Sequence, residues 1–154
     1  MAYAERSEVT SDKSRAEIER TLRRYGATSF AYGWTNTEAR VMFEMANRHV
    51  MFRLPMPNRN ERRFTHTAAR DYPREPDAVD RAYEQAVRQR WRALSLVIKA
   101  KLEAVDAGIT TVEQEFLAHI VLPDGSTVSD WVAPQLAIAY ERNEMPALMP
   151  GGVR

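Results

Sequence analysis

The sequence predicts an α+β fold: a three-stranded antiparallel sheet packed on one long helix, with an N-terminal helix and smaller C-terminal helices. A block from residue 28 to 56 is rich in aromatic and β-favouring residues, and its apolar and polar positions alternate. A second block, from 77 to 107, carries an apolar stripe at helical spacing instead. Capping-box patterns flank these blocks on either side.

Residues 1–12 read as a polar, mobile lead-in. Ser14-Arg-Ala-Glu17 then matches a capping box, with Ser followed three residues later by Glu. Ile18, Leu22 and Tyr25 follow on one helical face, and Gly26 stands where a C-terminal cap belongs, which predicts a helix over 14–25. Next come "TSFAYGW", "EARVMFEM" and "HVMFRLPM", separated by "TNTE" and "ANR". Val41, Phe43 and Met45 alternate with Arg40, Met42 and Glu44, and Val50, Phe52 and Leu54 alternate with Met51 and Arg53. Three antiparallel strands with short turns follow from that pattern, and Pro55 and Pro57 end the third.

Residues 58–76, "NRNERRFTHTAARDYPREP", have no period and read as a long basic loop, of the kind that is usually functional or mobile. Arg59, Arg62, Arg63, Arg70 and Arg74 outnumber Glu61, Asp71 and Glu75, with Phe64, His66 and Tyr72 interleaved. A helix over 77–107 closes at Gly108. At about 100° per residue, Tyr83, Val87, Trp91, Leu94, Ile98, Leu102 and Val105 share one stripe. Arg81, Arg88, Arg92 and Lys99 form a column beside it, while Leu96 and Val97 lie off the stripe and predict a contact on a second side, with a neighbouring element or another subunit. Thr110-Thr-Val-Glu113 predicts the start of a short helix through His119, and "LPDGS" predicts a turn. Thr127-Val-Ser-Asp130 predicts the cap of a last helix reaching Arg142, kinked or restarted at Pro134. Residues 143–154 read as an irregular tail.

The chain of 154 residues suits a single domain with one core. It has no cysteine, so disulfide and thiol chemistry are excluded. The first residues lack an apolar signal-peptide core, and "ALSLVI" and "FLAHIVL" are too short to span a bilayer, so the expectation is a cytoplasmic protein with no membrane partner. A net charge of +1 gives no global pull toward nucleic acid, so such a function must rest on where the charges lie.

Catalytic patterns are poor: no phosphate loop, nucleophile elbow, zinc signature or calcium loop occurs. Glu115 and His119 share a helical face that would suit a metal, but no third ligand lies at a recognised spacing. The histidine stands among Phe116, Leu117, Ile120 and Val121, so a structural role is the expectation. No cofactor and no metal are expected.

The basic surface is the stronger lead. Arg59, Arg62, Arg63 and Arg70 of the loop, with Arg81, Arg88, Arg92 and Lys99 of the helix, suit phosphate contacts, and Arg48 and Arg53 on the sheet extend the set. Phe64 and Tyr72, with His66, suit stacking on unpaired bases, which favours single-stranded DNA. The expectation is a non-enzymatic nucleic-acid-binding accessory protein. The alternative is a protein-interaction module or inhibitor, docking through Met145, Leu148 and Met149 of the tail or through self-association into a homo-oligomer.

The element order α-β-β-β-α resembles that of double-stranded RNA-binding domains, although the helix opening "EPDAVDRAY" lacks their lysine-rich start. It also resembles the sheet-plus-long-helix core of phage single-strand annealing proteins, which have a basic groove between helix and sheet. More specifically, "RQRWRALSLVIKAKLEAVDAGITTVEQEFLAHIVLPDGSTV" and "KSRAEIERTLRRYGATSF" are similar to uncharacterised small proteins encoded by phages and prophages. That family has no assigned activity, so the resemblance transfers no functional residue. It implies work in phage DNA replication or recombination, or interference with a host defence.

Overall fold

The computed structural model describes residues 2–146, with side chains from residue 12 onward. The elements follow in the order α1 (Ala2–Arg24), β1 (Ser29–Trp34), β2 (Glu38–Met45), β3 (Arg48–Pro55), α2 (Arg62–Thr65), α3 (Pro76–Asp106), α4 (Val112–Glu115) and α5 (Val128–Arg142). A single 3₁₀ turn, Leu117–His119, joins α4 to the last segment. This is the expected α+β architecture, with the sheet in the order β1-β2-β3 and all pairs antiparallel.

The β2–β3 connection is a two-residue turn in which Ala46 and Asn47 both take positive φ, 50° and 59°. That geometry matches the twist of the flanking strands and fixes the register Met45↔Arg48, Phe43↔Val50 and Val41↔Phe52. Because side chains alternate across a strand, this register gathers Ala39, Val41, Phe43, Val50 and Phe52 on one face. All five are buried there.

On that face α1 and α3 lie against each other and close a single hydrophobic cluster with the sheet. The helices contribute Ile18, Leu22, Trp91, Leu94, Ile98 and Leu102, and Phe116 completes the cluster. Tyr32 of β1 meets the Trp91 ring at 5.5 Å, and Phe116 packs edge-on against Phe43 at 5.5 Å and Phe52 at 6.1 Å. The stripe read along α3 is therefore its core face, with Tyr83 and Val105 only half-buried at its ends.

Four details differ from the sequence reading. The helix expected from Ser14 begins at Ala2, so the lead-in 1–12 is helical from its second residue and Ser14–Glu17 lies within α1 rather than at its cap. The box expected at Thr110 is shifted by one: Thr111 accepts from the Gln114 N–H, and the Gln114 side chain accepts from the Thr111 N–H. Two adjacent threonines each satisfy the pattern, and only the geometry chooses between them. The Thr127 box forms as expected with Asp130, but α5 runs through Pro134 as one helix. Pro134 is exposed, so water can satisfy the carbonyl its missing N–H leaves unpaired. Finally, the 58–76 segment is organised. The α2 turn and a bridge between His66 and Pro73 fold it back on itself, and the Arg74 N–H donates to the Thr65 carbonyl at 2.7 Å. No described helix is long and apolar enough to cross a membrane.

Candidate nucleic-acid interface

The basic residues singled out by the sequence separate into two groups, distinguished by whether a carboxylate already holds them. Most of the loop arginines are held. Arg59 pairs with Asp80 at the start of α3. Arg62 grips Asp71 with two hydrogen bonds, its Nε at 3.0 Å, and this pairing holds the Asp71 carboxyl below the usual carboxylate range. Arg63 donates to Glu61 at 2.6 Å and lies 4.5 Å over the Phe64 ring. The Glu61 carboxyl is also lowered, first by the Asn58 N–H and then by Arg63.

The sheet arginines are held too. Arg48 binds Glu113 at 2.7 Å. Arg53 forms a fork on Asp130 with both bonds at 3.0 Å, which drives that carboxyl far below its ordinary range. Arg48, Arg53 and Arg59 each tie one element to another, whereas Arg62 and Arg63 close pairs within the 58–76 segment. Of the loop arginines, Arg74 alone joins the α3 column along the cavities that the column borders, and the sheet arginines line neither of them.

Phe64 is a second correction. It is 4% exposed and packs edge-on to Tyr83 at 5.8 Å, so it belongs to the interior and offers no face to a base. Its neighbours Arg63 and Thr65 gave no sign of this, because a one-turn helix carries no detectable period. The His66 ring is engaged locally, its Nδ1 lying 2.8 Å from the Thr65 hydroxyl. Tyr72 remains exposed at 61%.

The other group is free. Arg81, Arg88 and Arg92 point away from the core along α3, and Arg88 and Arg92 border a cavity of about 600 Å³ on the seam between α1 and α3. Lys13, Ser14 and Glu17 supply the α1 wall of that cavity, and Gln85, Gln89, Ser95 and Leu96 complete the α3 wall. A second cavity of about 780 Å³ continues from it, sharing Gln85 and Arg88, and is lined further by Thr67, Arg74, Arg81 and Glu84. The two form one track with five cations, Lys13, Arg74, Arg81, Arg88 and Arg92, against two carboxylates. Among the described residues none of those five makes an ion pair.

Lys99 continues the column without bordering either cavity, and Arg70 stands exposed in the segment before α3 and borders neither. The Tyr72 N–H donates to the Thr67 hydroxyl at 3.2 Å, and the Tyr72 carbonyl accepts from the Thr67 N–H at 2.8 Å. Those bonds hold the Tyr72 backbone against Thr67, which lines the track, and the Tyr72 ring itself borders neither cavity. Lys13 escaped the sequence reading because it stood at the edge of the supposed lead-in. Arg74 was read as one more loop arginine. Within the chain no neighbouring element covers Leu96 and Val97, which are 58% and 43% exposed, and Leu96 borders the seam.

The pair considered for a metal is otherwise engaged. Glu115 binds Lys101 at 3.2 Å, and His119 stacks on Phe52 at 4.0 Å, where burial and then nearby Lys101 lower its pKa. No cluster of three or more metal-capable side chains occurs among the described residues. In the tail, Met145 is 92% exposed, and Leu148 and Met149 lie outside the described residues.

Fold and site together define a small α+β protein with a cationic helix–helix seam, rather than a groove between helix and sheet. Comparison with known proteins returns no matching family model, no matching curated protein and no matching solved structure.

Proposed function

We propose that this is a non-enzymatic nucleic-acid-binding accessory protein that holds single-stranded DNA along the α1–α3 seam. The observation that carries the reading is the contrast between held and free cations. Arg48, Arg53, Arg59, Arg62 and Arg63 are paired with carboxylates, whereas the four arginines and one lysine that line one continuous track are not. Five cations against two carboxylates leave an excess of positive charge along the track, and a polyanion following it relieves the repulsion while releasing its own condensed counter-ions. Arginine predominates, and its planar fork takes two phosphate oxygens at once or stacks on a base.

Exposed Tyr72, whose backbone is bonded to the track residue Thr67, favours the single strand. A duplex hides the faces of its bases, so an exposed ring adds affinity only where bases are unstacked. A setting in phage-related DNA replication or recombination rests on the sequence resemblance. The test is a fluorescence-anisotropy titration with labelled single-stranded and double-stranded oligonucleotides of equal length at about 50 mM salt. The single strand binds more tightly. Equal or tighter binding of the duplex refutes the assignment to single strands, and binding of neither refutes the reading altogether.

A further inference from the structure

Helix α5, at 15 residues, is poorly covered for its length. It contains no buried residue, although Trp131 to Tyr140, "WVAPQLAIAY", is uncharged throughout. Its anchorage lies at one end: the Thr127 capping box, the Arg53–Asp130 fork and contacts with the 3₁₀ turn. At about 100° per residue, half-buried Val128, Val132 and Ile138 face the domain. Ala133, Leu136, Ala137 and Tyr140 form an exposed stripe on the opposite side, with Leu136 54% and Tyr140 84% exposed. A helix apolar on both sides belongs in an interior, and a helix of this length, 15 residues, is marginal in water on its own.

We propose that α5 is a self-association surface, on which α5 of a second copy packs antiparallel about a two-fold axis between Leu136 and Ala137. Two features select a second copy. The first is the sequence of sizes along the stripe: small, large, small, large. Antiparallel pairing about that midpoint sets Ala133 against Tyr140 of the second copy, and Leu136 against Ala137 of the second copy. Every large side chain then meets a small one, so the surface is complementary to itself, as a two-fold interface requires. In-register parallel pairing instead sets Tyr140 against Tyr140 and alanine against alanine, leaving gaps.

The second feature is the helix dipole. Antiparallel pairing opposes the two helix dipoles, whereas parallel pairing stacks like end on like. The chain's net charge of +1 opposes association only weakly.

Sedimentation velocity on the full chain over a range of concentrations tests this. The expected species has twice the 17.7 kDa chain mass, and Leu136→Glu with Tyr140→Glu returns it to 17.7 kDa. Both positions are exposed, so the far-UV circular dichroism of the variant matches that of the wild type. The chain has no cysteine, which makes single-cysteine cross-linking clean. Ala137→Cys, beside the axis, forms a covalent dimer on mild oxidation, and Ser129→Cys, far from it, does not. A wild-type chain that stays at 17.7 kDa at every concentration overturns the proposal, as does a doubled mass that the double variant leaves unchanged. Equal cross-linking at both positions overturns the antiparallel register.

Discussion

Salt dependence reads out the number of cations that meet phosphate, and the seam fixes that number. An arginine already bound to a carboxylate must break one ion pair to make another, so it releases few counter-ions on binding DNA. A free one releases its full share. With five free cations on the track, the slope of log K against log salt for a single strand is about −3.5, from about −0.7 per phosphate neutralised. Affinity then falls about 100-fold between roughly 50 and 200 mM salt.

Removing Arg88 and Arg92 leaves three free cations, for a slope of about −2 and a loss of about 20-fold over the same range. Removing Arg62 and Arg63, which are held by Asp71 and Glu61, leaves the slope near its wild-type value. The assay is anisotropy at four or more salt concentrations with each protein. A wild-type slope shallower than about −1, or one unchanged by Arg88→Ala with Arg92→Ala, refutes the counting of free cations.

Further outcomes follow from the same geometry. Tyr72→Ala weakens single-strand binding by about 1–3 kcal/mol, seen as a rise in Kd, and leaves duplex binding and the thermal midpoint unchanged. Trp91→Ala removes a ring that is 1% exposed and touches Tyr32, and destabilises the fold by about 3–5 kcal/mol in urea unfolding. His119 has its pKa lowered below 6.5 by burial, so the unfolded chain takes up this proton first as the pH falls. Its contribution is complete above that value and is lost below it, so wild-type stability declines on acidification from pH 6.5 while His119→Phe shows a flatter profile. Parallel decline of the two proteins would falsify the assignment of that slope to His119.

Much of the fold was legible because its signals are local and periodic. Val41–Phe43–Met45 opposite Val50–Phe52 announces a hairpin with one buried face. Trp91, Leu94, Ile98 and Leu102 announce the core side of α3, which Gly108 then terminates with φ of 76°. The first half of α1 was not legible. It carries no apolar stripe, and Ser7, Val9, Thr10, Ser11 and Asp12 are weak helix formers, so neither period nor propensity announces it.

The site divides in the same way. The column Arg81, Arg88 and Arg92 follows from spacing on one helix, and it does line the seam. Lys13 enters only through the packing of α1 on α3, which sequence spacing does not encode. Nor did spacing reveal which arginines are held: Arg59 finds Asp80 21 residues away and Arg62 finds Asp71 nine away, with no periodic rule linking either pair. An arginine-rich loop thus looks like a binding loop until its partners are known.

The contrast between held and free cations is tested most directly at one salt concentration, about 50 mM, with one labelled single strand and three proteins. These are the wild type, Arg88→Ala with Arg92→Ala, and Arg62→Ala with Arg63→Ala, each checked by circular dichroism for an intact fold. The seam variant is expected to lose affinity at least about tenfold and the loop variant to stay within about twofold of wild type. If the loop variant loses as much as the seam variant, ion pairing does not sort these arginines. If neither loses affinity, the strand lies elsewhere and the seam is not its site.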